Sequence, residues 1–436
     1  MTTLKLDTCL MRRMGLPEGS TPPSFEAVRG WQARTLRDLV AHAQQRSPFY
    51  ARHFDGVEAD QIKNLDDFSR LPMLTADDVR RKPEDMLCVS QDEITRIVTL
   101  QSSGTTGEPK RIFYTSEDLE ATVDYFHWGM SHLVGPGETA FVLMPGERPG
   151  GVGQLLMQAL ERAGARAVAH GVMEDSEAAL DHLLQENGTC IVGPASHVNM
   201  LACAWQRRGL PKGRIKSVLL CWDATPDAVV RRVTDALGCR TYRHWGMIET
   251  GLGGAVECAP GAGMHLRETD VYLEIIDPKT GTPMPDGEFG EMVVSTPLKR
   301  GMPLIRYRTG DLGRILRGHC PCGTPLRRLD ATICRIGGGT PLHTGTLELG
   351  ELNEALFALP EVEDFVASYG DGLLRLEICS PETDSAKNVM KTLATIPVVR
   401  LNTNATQLNM EIVIRNTSEP AIHGLAKRQI MRVKGN

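Results

Sequence analysis

Apolar residues between Ser24 and Phe54, in SFEAVRGWQARTLRDLVAHAQQRSPFYARHF, recur near a 3.6-residue period at Phe25, Val28, Trp31, Leu36, Leu39 and Val40. That period predicts one amphipathic helix with Ser24 as its N-cap. Two β-rich runs, ITRIVTL (Ile94 to Leu100) and RIFYT (Arg111 to Thr115), predict strands. Farther on, helical patterns such as GGVGQLLMQALERAGARAV (Gly150 to Val168) alternate with short apolar runs, TCIVG (Thr189 to Gly193) and IKSVLLCW (Ile215 to Trp222). This alternation is that of layered α/β architecture with mostly parallel strands. From Asp270 to Ile315 the pattern changes to strands broken by turns, as in an antiparallel sheet or small barrel. The glycines Gly337 to Gly339 follow the strand-like ATICRI and mark a linker, after which helix, strand and strand patterns lead to a further strand, MEIVIRN. The expected fold class is α/β: a large multi-layer N-terminal domain (1–335) with parallel sheets and a small antiparallel barrel-like part, then a small, mobile α+β C-terminal domain (336–436).

Composition narrows the function classes. At 436 residues the chain exceeds one compact core. Its 48 Lys and Arg against 54 Asp and Glu leave a net charge of −6, which argues against a nucleic-acid-binding surface. No apolar run reaches bilayer-spanning length, and the opening MTTLKLDTCLMRRMG lacks the apolar stretch of a secretory signal. A cytoplasmic protein with no membrane partner is expected. Its 11 cysteines, an odd number with uneven spacing, then read as free thiols or metal ligands.

Between the first two strands lies SSGTTG, Ser102, Ser103, Gly104, Thr105, Thr106 and Gly107. Such residues build no core. They suit either a surface turn or a loop whose bare amides and hydroxyls surround phosphate. A Walker loop is excluded, because Gly107 is followed by Glu108, Pro109 and Lys110 rather than by Lys and Ser or Thr.

The loop is followed in order by RHWGMIETG (Arg243 to Gly251), GMHLRETDVYLEIIDP (Gly263 to Pro278) and LIRYRTGDLGRI (Leu304 to Ile315). Together these resemble the acyl-adenylate-forming enzymes, specifically the phenylacetate-CoA ligase group. The resemblance implies an ATP-dependent, AMP-forming ligase: a carboxylic acid attacks the α-phosphate, and a thiol, usually that of CoA, displaces AMP from the mixed anhydride. It implies that Ser102 to Gly107 form the phosphate loop, with Lys110 at its far edge; by itself Lys110 is expected to be an ordinary solvated lysine. Glu249 takes the place of the Mg²⁺-binding carboxylate, a hard ligand for a hard cation. Trp245, beside Gly246, stands where the family has a tyrosine against the adenine, and Asp311 where an aspartate accepts from the ribose hydroxyls. Asp223 is a candidate for the adenine edge and Arg335 for the ribose at the hinge. A homodimer is also implied.

Cys258, His265, Cys320 and Cys322 come from the stretches that carry these motifs. Three thiolates and an imidazole would complete a closed, structural zinc site; buried apolar cysteines are the other reading, and His319 is a spare ligand. The chain departs from the family near its end. It reads HGLAKRQIM, with Leu425 at the position of the family's catalytic lysine and Lys427 two residues on, where an extended segment would return it to the same face. Gly337 and Gly338 replace the paired hinge aspartates. These changes keep open two alternatives: an adenylyltransferase acting on a cofactor-like acceptor, and a silent nucleotide-binding protein. Phe126, His127 and Trp128 would suit a flat acyl group or pack a helix.

Overall fold

The computed structural model describes residues 5–17, 19–100, 109–382, 384–416 and 427–433. They form two compact units, one of Met1–His132, Gln154–Ala163 and His244–Ile333, the other of Leu133–Gly153, Gly164–Arg243 and Cys334–Asn436.

In the first unit the predicted helix runs from Phe25 to Arg46, and Ser24 caps it by accepting from the Ala27 amide at 3.2 Å. It stops earlier than the periodicity suggests, and a second helix, Pro48–His53, starts afresh. Pro48 bars helical geometry at Ser47, and the freed Ser47 hydroxyl caps the new turn. The strands Ile94–Leu100 and Lys110–Thr115 pair antiparallel, with Ile97 opposite Phe113. A three-stranded antiparallel meander follows from Tyr272–Ile276, Gly290–Ser295 and Tyr307–Gly313. Short antiparallel strands, Ala255–Glu257, Met264–Leu266 and Arg328–Leu329, complete the unit. Its core joins Leu36, Leu39, Tyr50, Phe54 and Phe68 to Leu273, Val294, Leu304 and Tyr307.

The second unit holds the parallel strands. Their order is Arg240–Trp245, Ser217–Cys221, Cys190–Pro194, Thr139–Val142 and Arg166–Ala169. Ser217–Cys221 is buried along its whole length, as a strand covered on both faces must be. The C-terminal residues add a mixed sheet in the order Asn409–Arg415, Leu373–Cys379, Asp364–Gly370 and Ile430–Arg432, with the helices Leu349–Phe357, Ser385–Leu393 and Pro397–Asn404. Polar contacts tie these residues to the parallel-sheet helices. Arg232 donates to the carbonyls of Val362 at 2.6 Å, Phe357 at 3.0 Å and Leu359. Pro226 offers no side-chain cap to the helix Asp227–Leu237, and Glu354 accepts from the Asp227 and Ala228 amides instead. Among the described residues, no helix is long and apolar enough to cross a membrane.

Candidate functional site

Three motif segments meet in the first unit. Lys110 begins the strand that follows the glycine-rich segment, Glu249 sits in the single turn Ile248–Thr250, and Tyr307 opens the strand Tyr307–Gly313. The Lys110 ammonium is ion-paired with Glu249 and donates to the Tyr307 hydroxyl at 2.9 Å. The Tyr307 hydroxyl in turn faces Glu249 Oε1 at 3.4 Å. The side chains of Lys110 and Glu249 are 14% and 3% exposed. Lys110 is therefore not the solvated lysine expected from sequence. Burial alone would lower its pKa, but the charge of Glu249 and the bonds to Glu249 and Tyr307 outweigh it and raise the pKa.

Asp311 lies on a strand rather than in a simple turn. Opposite Gly290–Ser295 the register shifts, with Glu291 facing Leu312 and Val293 facing Arg308, so Thr309, Gly310 and Asp311 share the space of one partner residue. Gly310 takes φ +73° in this bulge, and the Asp311 amide donates to Thr309 Oγ1 at 3.0 Å. Such a bulge turns side chains out of the ladder. Trp245 is buried and packs against Gly254, where an added Cβ would lie 2.5 Å from the indole; Gly246 comes next, equally crowded by the Leu252 carbonyl. Phe126 is buried, while the His127 and Trp128 rings meet edge to face at 4.7 Å.

Residues Ser102, Ser103, Gly104, Thr105, Thr106 and Gly107, like Leu425, lie outside the described residues. In the second unit both Asp223 oxygens are engaged: one accepts from the Ala224 amide at 2.8 Å, the other from the Arg428 amide at 2.7 Å. Arg428 also pairs with Asp364 and donates to the Phe365 carbonyl, and the neighbouring Lys427 is exposed. Arg335 is exposed in the short strand Cys334–Arg335, and Gly337 turns the chain just after it with φ +66°.

The ligand atoms of Cys258, His265, Cys320 and Cys322 all lie within 4.8 Å of one another. Cys258 Sγ is 3.7 Å from Cys320 Sγ, and Cys322 Sγ is 3.5 Å from His265 Nε2. His265 Nδ1 is 3.2 Å from the Leu326 carbonyl, which fixes the ring. Burial lowers its pKa to about 4, so the imidazole is neutral at pH 7. His319 is not part of the group and packs edge-on against Phe25.

Residues 31–301 match the model of the family described as AMP-binding enzyme. The chain is similar to a phenylacetate-coenzyme A ligase of Thermus thermophilus, 29% identical over 79% of this chain and 78% of that protein. It is also similar to one of Pseudomonas putida, 31% identical over 70% of each. A crystal structure of 2-hydroxyisobutyryl-CoA ligase in the postadenylation state has the same fold, with a TM-score of 0.77 at 20% identity, covering 97% of this chain and 94% of the other. The motif order and these relatives agree: the chain belongs to the AMP-binding enzyme family, in its phenylacetate-CoA ligase group, and is an ATP-dependent, AMP-forming acid ligase.

Proposed function

We propose that the protein activates an aromatic or other small carboxylic acid as its adenylate and passes the acyl group to the thiol of CoA, as a cytoplasmic homodimer with residues 336–436 as the mobile domain. The acid class is supported by the relatives, which bear the name phenylacetate-coenzyme A ligase. The observation that carries the reading is the joining of three separate motifs through Lys110, Glu249 and Tyr307. In this reading Glu249 would hold Mg²⁺, which neutralises phosphate charge when bound. Its carboxylate is a hard oxygen donor, which Mg²⁺ would take over from the Lys110 ammonium now paired with it. Trp245 and Gly246 flank the adenine, with Asp223 near its edge; Asp311 takes the ribose hydroxyls, Arg335 serves at the hinge, and Lys427 takes the missing lysine's role, reducing repulsion between acid and phosphate as they approach.

The cysteine cluster fits a structural zinc ion. Tetrahedral coordination with Zn–S near ~2.3 Å and Zn–N near ~2.05 Å places two sulfurs about 3.8 Å apart and a sulfur and nitrogen about 3.5 Å apart. The 3.7 Å and 3.5 Å separations match those edges. Four protein ligands leave no open position, so zinc here would hold loops rather than take part in catalysis.

The test is ATP–pyrophosphate exchange across aryl and alkyl acids, beside Lys427→Ala. Acid-dependent exchange that collapses in the variant supports both adenylation and the role of Lys427. No exchange with any acid, alongside measurable ATP binding, sinks the ligase reading in favour of adenylyl transfer or silent binding.

A further inference from the structure

Lys299 lies in the loop after the strand Gly290–Ser295, and its backbone amide donates to the Thr296 carbonyl at 3.1 Å. Two residues on, Gly301 comes so close to the strand ending at Thr115 that an added Cβ would meet the Thr115 methyl at 2.6 Å. This close approach puts the lysine inside the unit, where it is 8% exposed. Its ammonium is 4.2 Å from the centroid of the Tyr114 ring and has no hydrogen-bond partner among the described residues.

A buried ammonium with all three N–H donors unused is costly, and a single ring face offsets little of that. The two carboxylates that face it are Asp118 and Glu249, and both are committed elsewhere. Asp118 caps its helix by accepting from the Thr115 amide at 2.9 Å, and Glu249 carries Lys110. Burial lowers the pKa of Lys299, and these carboxylates only partly counter it. The cluster thus holds an ammonium without a hydrogen-bond partner among the described residues next to the adenylating motifs, on a flexible four-carbon stem able to leave the ring.

We propose that Lys299 is a further substrate-binding residue of the site, whose ammonium receives an anionic oxygen of the reactants, either a phosphate oxygen of ATP or the carboxylate of the acid. The proposal rests on the adenylation reading for its choice of ligands, while its core, a cation reserved for an oxyanion, is testable without turnover.

The experiment compares Lys299→Met and Lys299→Arg with the wild-type protein by calorimetric titration of Mg²⁺·ATP, by titration of phenylacetate, and by thermal unfolding. Lys299→Met is expected to melt no lower than the wild type, because it removes a buried ammonium that no hydrogen bond compensates, yet to bind one of the two ligands at least tenfold more weakly. Lys299→Arg, which keeps the charge, should stay within threefold. Weaker ATP binding assigns the phosphate, and weaker phenylacetate binding with ATP unchanged assigns the carboxylate. Wild-type affinity for both ligands in Lys299→Met would overturn the proposal. So would a strongly destabilised Lys299→Met, which would make the ammonium a structural element. A wild type that binds ATP but shows no acid-dependent exchange would defeat the ligase reading alone, since the ATP titration still judges Lys299.

Discussion

Replacing Glu249 by glutamine keeps the shape of the side chain and removes its charge, leaving the buried Lys110 ammonium with neutral acceptors alone, an amide oxygen and the Tyr307 hydroxyl at 2.9 Å. Because the two side chains are 14% and 3% exposed, solvent screens little of the loss. Breaking such a pair from one side costs ~3–5 kcal/mol. The amide oxygen and the tyrosine hydroxyl remain as neutral acceptors for the ammonium, which places Glu249→Gln at the lower end, about 3 kcal/mol. Lys110→Met strands the carboxylate instead, with the Tyr307 hydroxyl 3.4 Å away, and should cost at least as much. The double variant strands neither charge, so its loss should fall well short of the sum of the two single losses, with a coupling of ~2 kcal/mol or more. Urea unfolding of the four proteins, with slopes checked for equality, measures this cycle. Single losses that add to the double loss within ~0.5 kcal/mol would refute the buried-pair argument.

Because the folded-state pKa of Lys110 is raised above 10.5, its stabilisation is complete below that pH and is lost as pH rises through the folded value; Lys110→Met should lose less stability than wild type in an alkaline series of melts. Elemental analysis should find one zinc per chain, and Cys258→Ser should lose it together with thermal stability, whereas equal melting with and without a chelator would count against a structural metal. Gly254→Ala would press a methyl into the Trp245 ring and is expected to cost ~1–3 kcal/mol in unfolding, with a wild-type midpoint arguing that the indole moves freely. Asp311→Ala should raise KM for ATP at least tenfold while leaving the melting midpoint within about 2 °C, a split that ordinary strand damage would not produce.

By itself, the sequence determined what depends on near neighbours. Ser24 caps a helix because its hydroxyl lies within reach of an amide three residues on. The apolar run Ser217–Cys221 demands burial on both faces and so a central parallel strand. The ordered motifs were legible because each is a short, contiguous string, and the four metal-ligand candidates because their residue types are few. Tertiary structure decided what depends on which loops meet. Residue type carries charge but not burial, so Lys110 in the polar string GEPKR reads as a solvated lysine, and nothing in PLKRG marks Lys299 as buried. Only the approach of Glu249, 139 residues away, encloses the first, and only the packing of Gly301 against Thr115 encloses the second. Asp223 likewise finds the Arg428 amide across 205 residues, a pairing no local pattern encodes. Period, caps and turns are set by interactions within a few residues, whereas an ion pair's strength is set by the solvent that folding removes from it.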